Sequence, residues 1–174
     1  MKAWVLVLVA MLFPLTITAS ASEPEGFEGL DRETLQQMVR HSVVKFPIED
    51  GVTIDEAIES MQLRANLRNF QEVADLPLSE QVTAMGGEGN YMRILAFCDA
   101  LIANQMVKHD IIFASFLPCR IAVVEDDDGQ GWIVTTNMDM MLYATDLPED
   151  LEVIAREVRD TIYSIVEAGR TGDF

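Results

Sequence analysis

The chain carries two cysteines, Cys98 and Cys119, and its most obvious chemistry would be theirs. In "YMRILAFCDALIANQ" the first closes an alternating apolar run; in "FLPCRIAVVE" the second opens another. One helix-length segment lies between them. If the two runs are antiparallel neighbours, that segment returns the chain to the same end of the sheet. The thiols would then lie within the Cα separation of about 7 Å that a disulfide spans. In an oxidising compartment the expectation is a Cys98–Cys119 bond. Its loop of about 22 residues would contribute roughly 3 kcal/mol in the chain-entropy description. Two other roles stay open: a thiol pair that cycles or carries sulfur or metal, with Asp99 beside it, and two inert core thiols.

Methionine and histidine extend the search. Met106 and His109 lie one helical turn apart, and "NMDMM" gathers Met138, Met140 and Met141. Thioether, imidazole and thiolate together would suit Cu(I), which makes Cys98, Cys119, His109 and Met106 the candidate metal set. His109 with Met106 would also serve as axial ligands for a non-covalent haem. Against both stands the ordinary use of methionine to fill irregular core gaps. Lys108-His109-Asp110 is not an acid–base unit, because adjacent helical residues do not face each other.

Several sites are absent. There is no Cys-x-x-Cys and no Cys-x-x-Cys-His, which removes a thioredoxin-like motif, a zinc ribbon and covalent haem. There is no His-Glu-x-x-His and no phosphate-binding loop. "GGEGNYM" lacks the third glycine of a dinucleotide fingerprint and runs into a strand. "DDDG" is not a calcium loop, since Val124 and Thr135 occupy its first and twelfth positions. No catalytic set stands out, so binding is favoured over catalysis.

The elements that would position these residues read as follows. "LQQMVR" is a short helix and His41–Pro47 a strand. Thr53 and Glu56 form a capping box ahead of a helix with Ile54, Ile58, Met61 and Ala65 on one face. Phe70–Leu78 is a strand, and a short helix then ends in a turn at Gly86, Gly87 and Gly89. In the Cys98 strand, Ile94, Ala96 and Cys98 share one face and Arg93, Leu95 and Phe97 the other. Asp99 caps one continuous helix as far as Phe116, with Ile102, Met106, His109 and Phe113 along a stripe. Asp128-Gly129 signals a hairpin between "CRIAVVE" and "WIVTTN". "MDMMLYAT" is a turn or short helix. The last helix is long and amphipathic, with Pro148 near its start and Gly169 past its end. This order predicts an α+β fold: two layers, a mainly antiparallel sheet with helices on one face.

Residues 1–21 read as a signal peptide. Lys2 supplies the charge, Ala3–Leu15 the apolar core, and Ala19-Ser20-Ala21 the cleavage site, so cleavage is expected before Ser22. The run is shorter than the roughly 20 residues of a span, and no later run is long enough, so no membrane span should remain. The expected address is periplasmic or secreted. Residues 22–41 form an acidic mature N-terminus, and 42–174 a single domain. Of 12 basic residues only Lys2 falls in the signal and none of the 29 acids does, so the mature net charge is 11 − 29 = −18. Such a polyanion is repelled by phosphate backbones, which excludes nucleic acid as a partner. Cations, basic proteins, a small ligand or a second copy in a homodimer remain.

The stretch "FCD…A…FLPCRIAVVEDDDG…WIVTTNMDMM" resembles the family of domain of unknown function 302, over most of Val43 to Phe174. The family carries a Cys-Asn-Pro-like strand end, a Leu-Pro-Cys leading into a strand, an acidic-Gly hairpin and an Asp-centred turn. Here the first motif reads Cys98-Asp99-Ala100. The resemblance implies a TATA-binding-protein-like fold, one curved antiparallel sheet backed by helices, and no settled activity. It also implies that cysteines occupy these places in relatives without a signal, which favours a role beyond a structural bond. The reading as a whole is a small-ligand binding or accessory module, its site in a groove between sheet and helix near the cysteines.

Overall fold

The computed structural model describes residues 29–173. The expected signal peptide, residues 1–21, and the first residues after the expected cleavage lie outside the described residues.

Each element starts where a local signal places it. Asp31 caps α1 (Arg32–His41) by accepting from the Thr34 backbone N–H, and α1 buries none of its side chains. After β1 (Val43–Pro47) comes α2 (Ile54–Leu67). The Thr53–Glu56 capping box forms as expected: Glu56 N donates to Thr53 Oγ1 at 3.2 Å, and Thr53 N donates to Glu56 Oε2 at 2.8 Å. β2 (Gln71–Leu76), α3 (Leu78–Ala84) and β3 (Met92–Cys98) follow. Then come α4 (Ala100–His109), β4 (Cys119–Glu125), β5 (Gly131–Thr136), α5 (Met138–Ala144) and α6 (Glu149–Thr171). The β4–β5 hairpin turns at Gly129, whose φ of +81° explains the glycine. Among the described residues no helix is long and apolar enough to cross a membrane.

Two expectations fail locally. The helix after Asp99 is not continuous to Phe116. Asp110 is extended (φ −147°, ψ 125°), and its carboxylate accepts from Ile112 N, starting a separate 3-10 segment, Ile111–Phe116. An aspartate that captures a backbone N–H ahead of it competes with helix continuation. Gly169 does not lie past the end of α6. The helix runs to Thr171, and Gly172 takes the left-handed conformation (φ +72°) after it. Gly169 is buried instead, and a Cβ there would stand 2.5 Å from Met61 Cγ. α6 packs closely on Met61 of α2 there, and only a hydrogen fits.

The five strands form one antiparallel sheet in the order β1-β5-β4-β3-β2. Its register divides the strand residues between two faces, because directly paired residues point the same way. One face carries Leu95, Phe97, Ile121, Val123 and Ile133, each without solvent exposure, against Met61 of α2 and Ile162 and Ile165 of α6. The other face carries the row Lys45–Val134–Ala122–Ile94–Leu76. The architecture is the expected two-layer α+β fold, with the helices on the Phe97 face.

Candidate functional site

The site is built at the end of the sheet where β3 stops and β4 starts. Asp99 accepts from Leu101 N at 2.8 Å and Ile102 N at 3.0 Å, which directs α4 away from β3. α4 and the 3-10 segment form one wall. Asn137 caps α5 in the same manner, accepting from Met140 N at 3.0 Å, and α5 forms the opposite wall together with the first half of α6. The floor is the sheet itself at Cys119 and Thr135.

The result is an apolar cleft with about 80 Å³ of free interior. Sulfur is prominent in its lining: Cys98, Cys119, Met106, Met138 and Met141. Asp99 is the only acid there, and its carboxylate is engaged with the α4 N-terminus. Thr135 is satisfied too, its hydroxyl donating to the Arg120 carbonyl at 2.8 Å. Among the described residues no buried side-chain nitrogen or oxygen lacks a partner. The cleft therefore offers mainly shape and polarisable surface, with Arg120 and Thr136 as polar residues of its lining.

Structure and expectation part company at the cysteines. β3 and β4 are antiparallel neighbours joined through α4, as the spacing predicted. The register, however, places Cys119 opposite Phe97, not opposite Cys98. Strand alternation then assigns the two cysteines to opposite faces of the sheet. Both are free thiols, and the Cys98–Cys119 disulfide does not form. Burial, and then the Asp99 carboxylate, push the Cys98 thiol up from its ordinary value. Burial, with a smaller contribution from Cys98, pushes Cys119 up to about 11. Both groups are protonated at neutral pH, whereas nucleophilic and redox thiols depend on the thiolate.

The candidate metal set is also divided. Met106 lines the cleft; His109, at the exposed end of α4, does not, and it lies against the Phe113 ring at a centroid distance of 6.4 Å. The break at Asp110 ends the stripe that was to continue from His109 to Phe113. His109 and Met106 thus do not converge on one pocket as an axial pair. Among the described residues no three His, Cys, Asp or Glu side chains form a cluster able to hold a metal. The sequence reading missed the opposite wall, Leu147, Ala155 and Val158, together with Phe70. A usable signal was the spacing of Met138 and Met141, three apart and hence on one face of any helix there.

A family model described as domain of unknown function DUF302 matches residues 44–169. No curated protein matches. Among solved structures, the chain is similar to an uncharacterized conserved DUF302 protein from Bacillus stearothermophilus, known from a crystal structure. The two share 18% identity and superpose with a TM-score of 0.62, over 74% of this chain and 98% of that one. At that identity the likeness shows the fold. The family model covers both cysteine strands, the hairpin between β4 and β5, and most of α6, and on that match the chain belongs to the DUF302 family.

Proposed function

We propose that this DUF302 protein is a secreted small-ligand binding or accessory module, holding a compact apolar ligand in the cleft between the sheet end, α4, α5 and α6. The observation that carries the reading is the lining. In a chain with 29 acids and 12 bases, this cleft is largely apolar and sulfur-rich, and Asp99 and Arg120 are the charged residues of its lining. A concave apolar pocket is the usual place for a small ligand. Its 80 Å³ is less than the cavity of about 150 Å³ that takes benzene, so the ligand is a compact group or a chain end. The three methionines add adaptability, since an unbranched thioether changes rotamer at low cost.

Xenon is a suitable first probe, because it enters dry apolar cavities. Pressurising the protein should shift the methyl NMR signals of Met106, Met138 and Met141 in a saturable way. Ala103→Phe, which fills the cleft from α4, should abolish those shifts and leave the fold intact. Absence of saturation, or equal shifts in the variant, would defeat the reading.

The sulfur lining supports a second reading, a Cu(I) carrier using Cys98, Cys119 and the methionines. Metal analysis and a visible spectrum of protein from its native host distinguish copper or haem from an organic ligand. A thiol redox or sulfur-transfer role is less well supported, given that both thiols are held protonated. The address rests on Ala19-Ser20-Ala21. Protein recovered from the host should begin at Ser22 and leave with the soluble envelope fraction. A cytoplasmic chain that still begins at Met1 would overturn it.

A further inference from the structure

The helical layer holds a polar group that takes no part in the cleft. It consists of Arg64 in the last turn of α2, Arg68 at the end of that helix, and Ser164 in α6. Both guanidinium groups converge on one hydroxyl. Arg64 Nη1 donates to Ser164 Oγ at 3.1 Å, and Arg68 Nη2 donates to the same atom at 3.4 Å. Arg64 and Ser164 are half-buried and Arg68 is exposed, so the group is held on one side and open to solvent on the other.

These two cations lack what the chain supplies elsewhere. Acids outnumber bases by 29 to 12, and Arg93, Arg156, Arg159 and Arg170 each take a carboxylate. Among the described residues neither Arg64 nor Arg68 forms an ion pair. The spacing gives the reason. One turn before Arg64 stand Ser60 and Met61, and one turn before Arg68 stand Arg64 and Ala65. The two arginines are therefore each other's neighbours at i, i+4, where like charges repel. Along α6 the acids one turn from Ser164 are Asp160 and Glu167, engaged by Arg159 and Arg170 at 2.8 and 2.7 Å. Hydrogen-bond donors are in surplus too. A guanidinium has five N–H groups, and each of these two uses one of them on Ser164. Other helical hydroxyls donate to the carbonyl one turn back, as Thr83 does to Ser79 and Thr171 to Glu167. Ser164 accepts twice, and among the described residues its own O–H donates to nothing.

We infer that Arg64, Arg68 and Ser164, brought together across α2 and α6, form a binding site for a phosphate group, free or carried as a monoester. Two adjacent guanidinium charges match the charge of nearly two that such a group carries near neutral pH. A carboxylate would balance only one of them. The planar forks donate in pairs to neighbouring phosphate oxygens, and the Ser164 O–H donates to a further one. An anion seated there relieves the repulsion between the arginines and ties the end of α2 to α6. A single phosphate is held by this local pair, whereas a nucleic-acid backbone meets the whole net charge of −17. The inference is independent of the cleft and of what the cleft binds.

Inorganic phosphate is the first probe. Titrated from about 0.1 to 30 mM at a constant ionic strength of about 0.15 M, with chloride as the balancing anion, it should raise the Tm of the full chain along a saturating curve. The backbone NMR signals around Arg64, Arg68 and Ser164 should shift over the same range. Arg64→Gln combined with Arg68→Gln should abolish both effects and leave the circular dichroism unchanged. Ser164→Ala, which keeps both cations, should weaken binding about tenfold. If the double variant does not fold, Arg68→Gln alone, at the exposed position, should weaken binding about tenfold or more. Phenyl phosphate distinguishes the two sources. Binding at least as tight as that of inorganic phosphate assigns the site to a monoester, and weaker binding assigns it to the free ion. A rise in Tm that never saturates is the general effect of an excluded salt and overturns the inference. So do signal shifts centred elsewhere, or variants that bind phosphate as the parent chain does.

Discussion

Phe97→Ala should cost about 3–5 kcal/mol of stability, while Cys98→Ala, one residue further along the same strand, should cost less than about 1 kcal/mol. Phe97 has no solvent exposure and packs in the core between the sheet and α2 and α6. Removing its ring leaves a cavity that the surrounding helices cannot fully close. Against a total stability of about 5–15 kcal/mol, that loss is a large fraction. Cys98 is half-buried, lies on the other face by alternation, and is joined to nothing. Denaturant unfolding of the two variants under identical conditions decides the matter. Were Cys98 bonded to Cys119, its replacement would instead cost about 2–5 kcal/mol. A large Cys98→Ala loss would therefore reinstate the bond that the register argues against.

The second large effect is expected at high pH. The Cys119 thiol ionises near 11 in the folded chain against an ordinary 9.0, because burial disfavours the thiolate. As pH rises through 9, the unfolded chain loses this proton first. Stability is fully present below pH 9 and falls until the folded thiol also ionises near 11. A separation of about two pH units corresponds to roughly 2–3 kcal/mol. Cys98 is shifted in the same direction and adds to the loss. Cys119→Val removes the group while keeping an apolar side chain of similar size. The stability difference between the two proteins should be flat below pH 9 and change by that amount between 9 and 11. Parallel curves across the whole range would show that Cys119 does not have the buried setting described above. At pH 7 the same setting should make Cys119 slow to alkylate in the folded state.

The two effects share one origin, the pairing of β3 with β4. Phe97 and Cys119 are directly opposite each other and point into the helical layer. That pairing gives Cys119 its burial, makes Phe97 a core residue, and turns Cys98 to the other face. The same register, continued across β5 and β1, gathers the row Lys45–Val134–Ala122–Ile94–Leu76 on the outer face. A slip of one residue between β3 and β4 would exchange the faces of either strand, exposing Phe97 and Leu95 or burying Arg120.

Much of this protein was legible in the order of its residues. The α2 capping box, the β4–β5 hairpin, the alternation in β3 and the resemblance carried by both cysteine strands are short-range signals. Each depends on side chains within a few positions of each other, so each survives translation into structure. The fold class and the cleft near the cysteines followed from them. What tertiary structure decided was non-local. Whether Cys119 faces Cys98 or Phe97 differs by a single residue of register, and no local pattern in either strand distinguishes the two. Asp110 could continue a helix or begin a new turn, and the packing around Phe113 accompanies the second choice. Gly169 looked like a helix terminator because glycine often is one, yet its reason is Met61 on a helix more than a hundred positions earlier. Local sequence selects each element by propensity and capping; register and close approach are set only when distant surfaces meet and exclude one another.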